Sequence, residues 1–231
     1  MFFDPLYFLI IAPGFLLSMW ASFKVKSSFK KYSKVRNETG MTGAEAAEAV
    51  LRYGGVTDVR IERASGFLSD HYDPSKKVLR LSSEVYDNIS VSAVGVGAHE
   101  AGHAIQDKVR YPMLTLRTML VPTASVGSNF SWIILMAGFF MGMTQLIWAG
   151  IILFSAVVVF QLVTLPVEFN ASSRAKQALW ESGVVATASE RKGVSAVLDA
   201  AAMTYVAAAV SSILTLIYFL IRSGFLGGRD D

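Results

Sequence analysis

The chain has 231 residues, 53% of them hydrophobic, and is too apolar for an ordinary water-soluble domain, so a membrane protein is the first class to test. It contains no cysteine, which excludes disulfides, cysteine nucleophiles and thiolate metal sites; any transition metal must be held by histidine, carboxylate and water. The net charge of +3 comes from Lys and Arg crowded beside apolar stretches, and no RNA- or DNA-binding signature accompanies it, so no nucleic-acid partner is expected.

In chain order, residues 5–23 are uncharged and rich in Leu, Ile and Phe. As a helix they would run about 28 Å, close to the hydrocarbon thickness of a bilayer. Lys24, Lys26, Lys30, Lys31, Lys34 and Arg36 follow, the reverse of a cleaved signal peptide, so the span is expected to remain with its N-terminus outside. Thr42-Gly-Ala-Glu45 is a capping box that opens an alanine-rich helix, and Gly54-Gly55 ends it. VRIER at 59–63 alternates as a strand does, and KVLRL at 77–81 reads as its partner, with Gly66 and Asp73-Pro74 marking the connection. A further helix is expected from Ser90 to about Asp107, capped by Ser90 and carrying HEAGH in its second half.

Between 118 and 167 lie fifty residues without one Asp, Glu, Lys, Arg or His, enough for two spans with a break near 142–145. Residues 200–221 form the fourth uncharged stretch. The expected organisation is a first transmembrane helix at 1–23, a cytoplasmic catalytic segment at 24–118 and a transmembrane hairpin at 119–166. A cytoplasmic helical segment at 167–203 and a last transmembrane helix with its tail at 204–231 complete it. Placing 24–118 and 167–203 inside puts 19 of the 21 Lys and Arg residues in the cytoplasm and leaves Arg222 and Arg229 outside, in keeping with the positive-inside rule. The fold class is thus a mainly α membrane protein of about four transmembrane helices with a small α+β catalytic domain, its helices joined by a short β-hairpin or sheet.

The chemistry concentrates in HEAGH at 99–103. Residues four apart share a helix face, so His99 and His103 can turn imidazole nitrogens towards one tetrahedral metal ion. Glu100, one position round, is displaced as a ligand but placed to act as general base. A chance cluster on a surface helix is the bland alternative. Against it stand the uncharged flanks, which bury the helix, and the fact that two of only three histidines occupy this spacing. Gly95, Ala98 and Gly102 form a small-residue stripe suited to close approach of another helix. The extended pattern with a third histidine is excluded by Gln106 and Val109, so a carboxylate from elsewhere is needed.

Glu168, which ends the long uncharged run and should begin a helix through Asn170, Ser172 and Arg174, is the candidate third ligand. Two spans separate it from His103, an even number that returns the chain to the same side. Glu181, Glu190 and Asp199 are weaker candidates, read as solvated helix charges. His71 and Tyr72 are candidate transition-state hydrogen-bond donors, with a structural role for their turn as the alternative. Asp107 either orients His103 or is a surface charge at the helix end.

These residues resemble the YugP-like membrane family of bacterial neutral zinc metallopeptidases. The likeness spans most of the chain, and its matching pieces, LSDHYDP at 68–74, KVLRLSSEVY at 77–86, GVGAHEAGHAIQD at 95–107 and LPVEFNASSRA at 165–175, are specific when taken together. More distantly the arrangement is similar to the membrane gluzincins of the heat-shock and CAAX-processing protease group. That resemblance implies a zincin-like fold, the ligand role of Glu168, and a strand, here Val78 to Leu81, that aligns an extended peptide by backbone pairing. Those relatives usually carry Asp four residues after the ligand Glu, where this chain has Ser172.

The expectation is therefore a membrane-embedded metalloendopeptidase with one Zn2+ per chain held by His99, His103 and Glu168, and Glu100 as base. It would cut peptides or proteins, membrane-associated ones included, from the cytoplasmic face of the cell membrane. A nonenzymatic metal carrier or scaffold is the alternative. It is disfavoured because the 118–167 run offers only Asn129, Gln145, Gln161 and hydroxyls at mid-membrane. An enzyme cutting inside the bilayer would bury HEAGH in a span, whereas charged residues lie on both sides of it here.

Overall fold

The computed structural model describes residues 4–66 and 69–225. Leu68 of the 68–74 motif and Arg229 lie outside them. In order, the elements are α1 (Pro5–Tyr32), α2 (Gly43–Tyr53), β1 (Arg60–Ala64), β2 (His71–Asp73), β3 (Val78–Ser82), α3 (Ser83–Tyr86), α4 (Val91–Lys108), α5 (Pro112–Met141), α6 (Thr144–Glu181) and α7 (Ala188–Arg222). Four of them, α1, α5, α6 and α7, are long and apolar enough to cross a membrane. With one small three-stranded sheet, the chain is a mainly α membrane protein carrying a small α+β part.

These helices are longer than the apolar stretches that reveal them. At 38 residues α6 extends about 57 Å, nearly twice the hydrocarbon thickness, and it runs unbroken through Pro166 to Glu181. Glu168 therefore lies within a helix already under way and does not start one. Likewise α1 continues past Phe23 to Tyr32, and α7 starts at Ala188, before the apolar run. Hydropathy marks where a helix becomes apolar, while its ends are set by caps and turns. Between α5 and α6, Gly142 adopts φ +66°, the left-handed conformation that glycine tolerates best, and the break falls where the composition placed it.

The chain divides into two compact units. One comprises Met1–Ala21, Leu116–Leu165 and Thr204–Asp231, in which Leu135, Ile147, Ile151, Tyr218 and Phe219 form the buried apolar centre. Within it α1 and α7 approach closely: a Cβ on Gly14 would stand 2.9 Å from the Ser211 hydroxyl oxygen and 3.0 Å from its Cα.

The other unit, Ser22–Thr115 with Pro166–Met203, carries HEAGH. Its core joins α2, β3 and α4 through Ala46, Val50, Leu79, Leu81, Ala98 and Ala101, closed by Leu179 and Val194. The capping box at Thr42 forms as read: Glu45 N–H donates to the Thr42 hydroxyl at 3.2 Å and Thr42 N–H to the Glu45 carboxylate at 2.7 Å. Ser90 caps α4 through Ala93 N–H at 3.2 Å.

The sheet corrects the strand reading. Its order is β1-β3-β2; β1 and β3 pair as expected but run parallel, which no hairpin can do, and β2 forms inside their connection and pairs antiparallel to β3. Being central, β3 is paired on both sides from Val78 to Arg80. That stretch offers no free edge to an extended peptide, so the expectation for Val78 to Leu81 fails there. The open edge nearest α4 belongs to β2, whose Tyr72 hydroxyl donates to Asp107 of α4 at 2.7 Å.

Candidate metal centre

The site is built on α4. Its helical period sets His99 and His103 one turn apart with ring centroids 4.8 Å apart and planes at 85°. What brings a third side chain to them is the absence of one at Gly102. A Cβ there would lie 2.5 Å from the Ala171 carbonyl oxygen, so the backbones of α4 and α6 meet at this point. Ala171 follows Glu168 by three residues and precedes Ser172, which delivers both side chains to the histidine face. The Glu168 Oε2 atom stands 3.3 Å from His99 Nε2 and 3.6 Å from His103 Nε2. Potential ligand atoms of the three residues all lie within 4.8 Å of one another.

Burial makes this cluster electrostatically demanding: Glu168 is 2% exposed, His103 8% and Glu100 9%. Desolvation works against a charged His103, but the Glu168 carboxylate beside its Nε2, the charge of Glu100 and the Gln106 carbonyl outweigh it and hold the imidazole pKa above its ordinary value. Two imidazoles and a carboxylate, with no thiolate, are the donor set of a hydrolytic zinc site, and a divalent cation would balance the buried anionic charge. The residues present therefore fit zinc.

Each imidazole has a second partner. His99 Nδ1 meets the Ser172 hydroxyl at 3.1 Å, and His103 Nδ1 meets Gln106 Oε1 at 3.0 Å. Ser172 thus takes the place where the more distant relatives have a carboxylate, and the contact is to His99. In the sequence Gln106 figures only as a residue that breaks the three-histidine pattern, although its place three residues after His103 is the signal that marks it as a partner of that imidazole. Glu100 accepts no hydrogen bond from the described residues. Asp70 is close enough to feel its charge: burial first, and the Glu100 carboxylate in part, raise the Asp70 pKa. Backbone N–H and hydroxyl of Ser82 both donate to Asp70, at 2.8 and 3.0 Å, fastening the segment before β2 to the end of β3.

The other candidates are engaged elsewhere. Asp107 accepts from Tyr72 and from Lys77 Nζ at 2.5 Å and does not meet His103, while the Tyr72 hydroxyl, read as a candidate transition-state donor, is engaged by Asp107. His71 is exposed, with Nδ1 2.8 Å from the Ser69 carbonyl and Nε2 3.4 Å from Arg80 Nη1. Glu181 accepts from Tyr53 and Gln177, Asp199 from Lys176, and Glu190 from Glu38 N–H and Thr187. None of these three acids joins the histidines.

A sequence model of the family described as "Putative neutral zinc metallopeptidase" matches residues 7–224. The chain belongs to this family. A curated relative, the "Putative membrane protease YugP" of Bacillus subtilis (strain 168), is 50% identical over 215 residues, covering 93% of this chain and 94% of that one. No solved structure matches significantly. Membership in the metallopeptidase family makes the chain a protease, with peptide or protein as its substrate class, and implies zinc. The relative and the four apolar helices together make it a membrane protein.

Proposed function

We propose that the chain is a membrane-embedded zinc endopeptidase of the H-E-x-x-H gluzincin type, binding one zinc ion through His99, His103 and Glu168. The observation that carries this reading is the convergence of Glu168, 65 residues beyond His103, on the Nε2 atoms of both histidines. When bound, zinc supplies a Lewis acid that polarises a carbonyl and brings the pKa of water towards neutrality. Glu100, buried and without a competing hydrogen bond among the described residues, removes a proton from the attacking water as the water oxygen bonds to the scissile carbon. It delivers that proton to the amine nitrogen as the C–N bond breaks. The open edge of β2 at His71–Asp73 lines up an extended substrate by backbone pairing.

The positive-inside pattern around Lys24 to Arg36 supports a cytoplasmic site in the cell membrane. In this arrangement segments 24–118 and 167–203 form the catalytic part, while the first helix up to residue 23, the hairpin at 119–166 and the last helix from residue 204 cross the bilayer, the last followed by a C-terminal tail. The test is Glu100→Gln in the purified full-length protein. Zinc content should stay at one per chain while casein hydrolysis falls at least a hundredfold, the lower range for loss of a general base. Full activity in that variant would refute the assignment.

A further inference from the structure

We propose that Gln106 fixes the tautomer of His103 through a relay in which the Val167 carbonyl and an Asn170 amide held by Arg174 orient its own amide, which makes Gln106 a positioning residue for the metal centre. The consequence rests on the zinc reading above; the relay itself rests on hydrogen-bond direction.

A guanidinium can only donate, so the Asn170 atom that Arg174 Nε meets at 2.7 Å is the amide oxygen. Gln106 presents one end of its amide to that oxygen at 3.0 Å and to the Val167 carbonyl at 2.7 Å. Both partners are acceptors, so this end is the NH2 group. The other end is therefore the carbonyl oxygen, and it lies 3.0 Å from His103 Nδ1. A carbonyl cannot donate, so Nδ1 carries the hydrogen, and in a neutral imidazole Nε2 is then left with its lone pair. Nε2 is the atom that faces Glu168 at 3.6 Å.

Each step leaves one choice, and burial enforces it. Gln106 is fully buried, so a flipped amide would set N–H against N–H and oxygen against oxygen with no solvent to relieve either clash. His99 has no such constraint, because the Ser172 hydroxyl can rotate to donate or accept. The two ligand histidines are thus prepared differently: one is preset for coordination before any metal arrives, the other adapts. The relay also crosses from α4 to α6 and ends on the carbonyl of Val167, next to Glu168, so the side chain that sets the tautomer also ties the two ligand-bearing helices together.

The experiment uses the full-length protein labelled with 15N-histidine, in micelles and metal-free, at a pH chosen so that the spectrum itself shows His103 neutral. With only three histidines, long-range 1H–15N spectra read each tautomer. Wild type should show His103 wholly as the Nδ1–H form. Gln106→Leu should give a mixture and lower the zinc affinity, measured by chelator competition, about 10–100-fold. Arg174→Met, which leaves the Val167 carbonyl to hold the Gln106 amide, should preserve both readouts. If Gln106→Leu does not fold, Gln106→Met carries the test. A mixed or Nε2–H His103 in wild type, or an unchanged tautomer in the folded Gln106 variant, overturns the relay. A locked tautomer in a wild-type protein that binds no zinc supports the relay and refutes the metal centre.

Discussion

Replacing Gly102 by alanine tests how the third ligand reaches the histidines. The new Cβ would sit 2.5 Å from the Ala171 carbonyl oxygen and 3.2 Å from its carbon, about 0.9 Å short of ordinary contact at the oxygen. Backbone opposes it on α6, and no side chain can swing away, so α4 and α6 must separate or rotate at the point that holds Glu168 and Ser172. Ligand positions tolerate only about 0.2 Å. Stability should fall as well, because overpacking of about 1–3 kcal/mol is only partly offset by the ~1 kcal/mol that alanine contributes over glycine inside a helix. Zinc affinity should fall more than tenfold. Gly95→Ala on the same helix is the control: its Cβ would meet Val194 at 3.6 Å, an ordinary contact, so stability should hold or rise with zinc binding intact. Zinc per chain by elemental analysis and thermal unfolding in detergent measure both. Wild-type zinc affinity in Gly102→Ala would refute the claim that this backbone approach seats the ligand.

Ser172→Ala should weaken zinc binding roughly tenfold by removing the partner of His99 Nδ1, whereas Ser172→Asp, which supplies an anionic acceptor, should tighten it. Chelator competition checks both, and equal affinities in all three proteins would contradict the contact. Because the His103 pKa is raised, its proton competes with metal at a higher pH than for a free imidazole: affinity is full well above that value and is lost as pH falls, starting above about 6.5. An affinity flat down to pH 5 would show that no imidazole is a ligand. Thr42→Ala removes the capping box of α2 and should cost about 1 kcal/mol without changing zinc content; an unchanged melting temperature would count against it.

Much was legible without coordinates because it depends on local periodicity. The i, i+4 spacing puts His99 and His103 on one face of any α-helix, the Thr42 and Ser90 caps act within three residues, and a run of fifty uncharged residues has few fates other than apolar helices. Glu168 could be singled out because charge is so scarce around it. What the tertiary structure decided is everything that depends on which backbone lies beside which: the parallel pairing that puts β3 in the middle of the sheet, the β2 strand hidden in a polar connection, and the continuation of α6 through Pro166. The partners of the two imidazoles belong there too, since Ser172 and Gln106 are unremarkable in the chain and acquire their roles only where the missing side chain of Gly102 lets α4 and α6 meet. A local pattern carries its own geometry, whereas contacts between distant segments exist only once packing has chosen the neighbours.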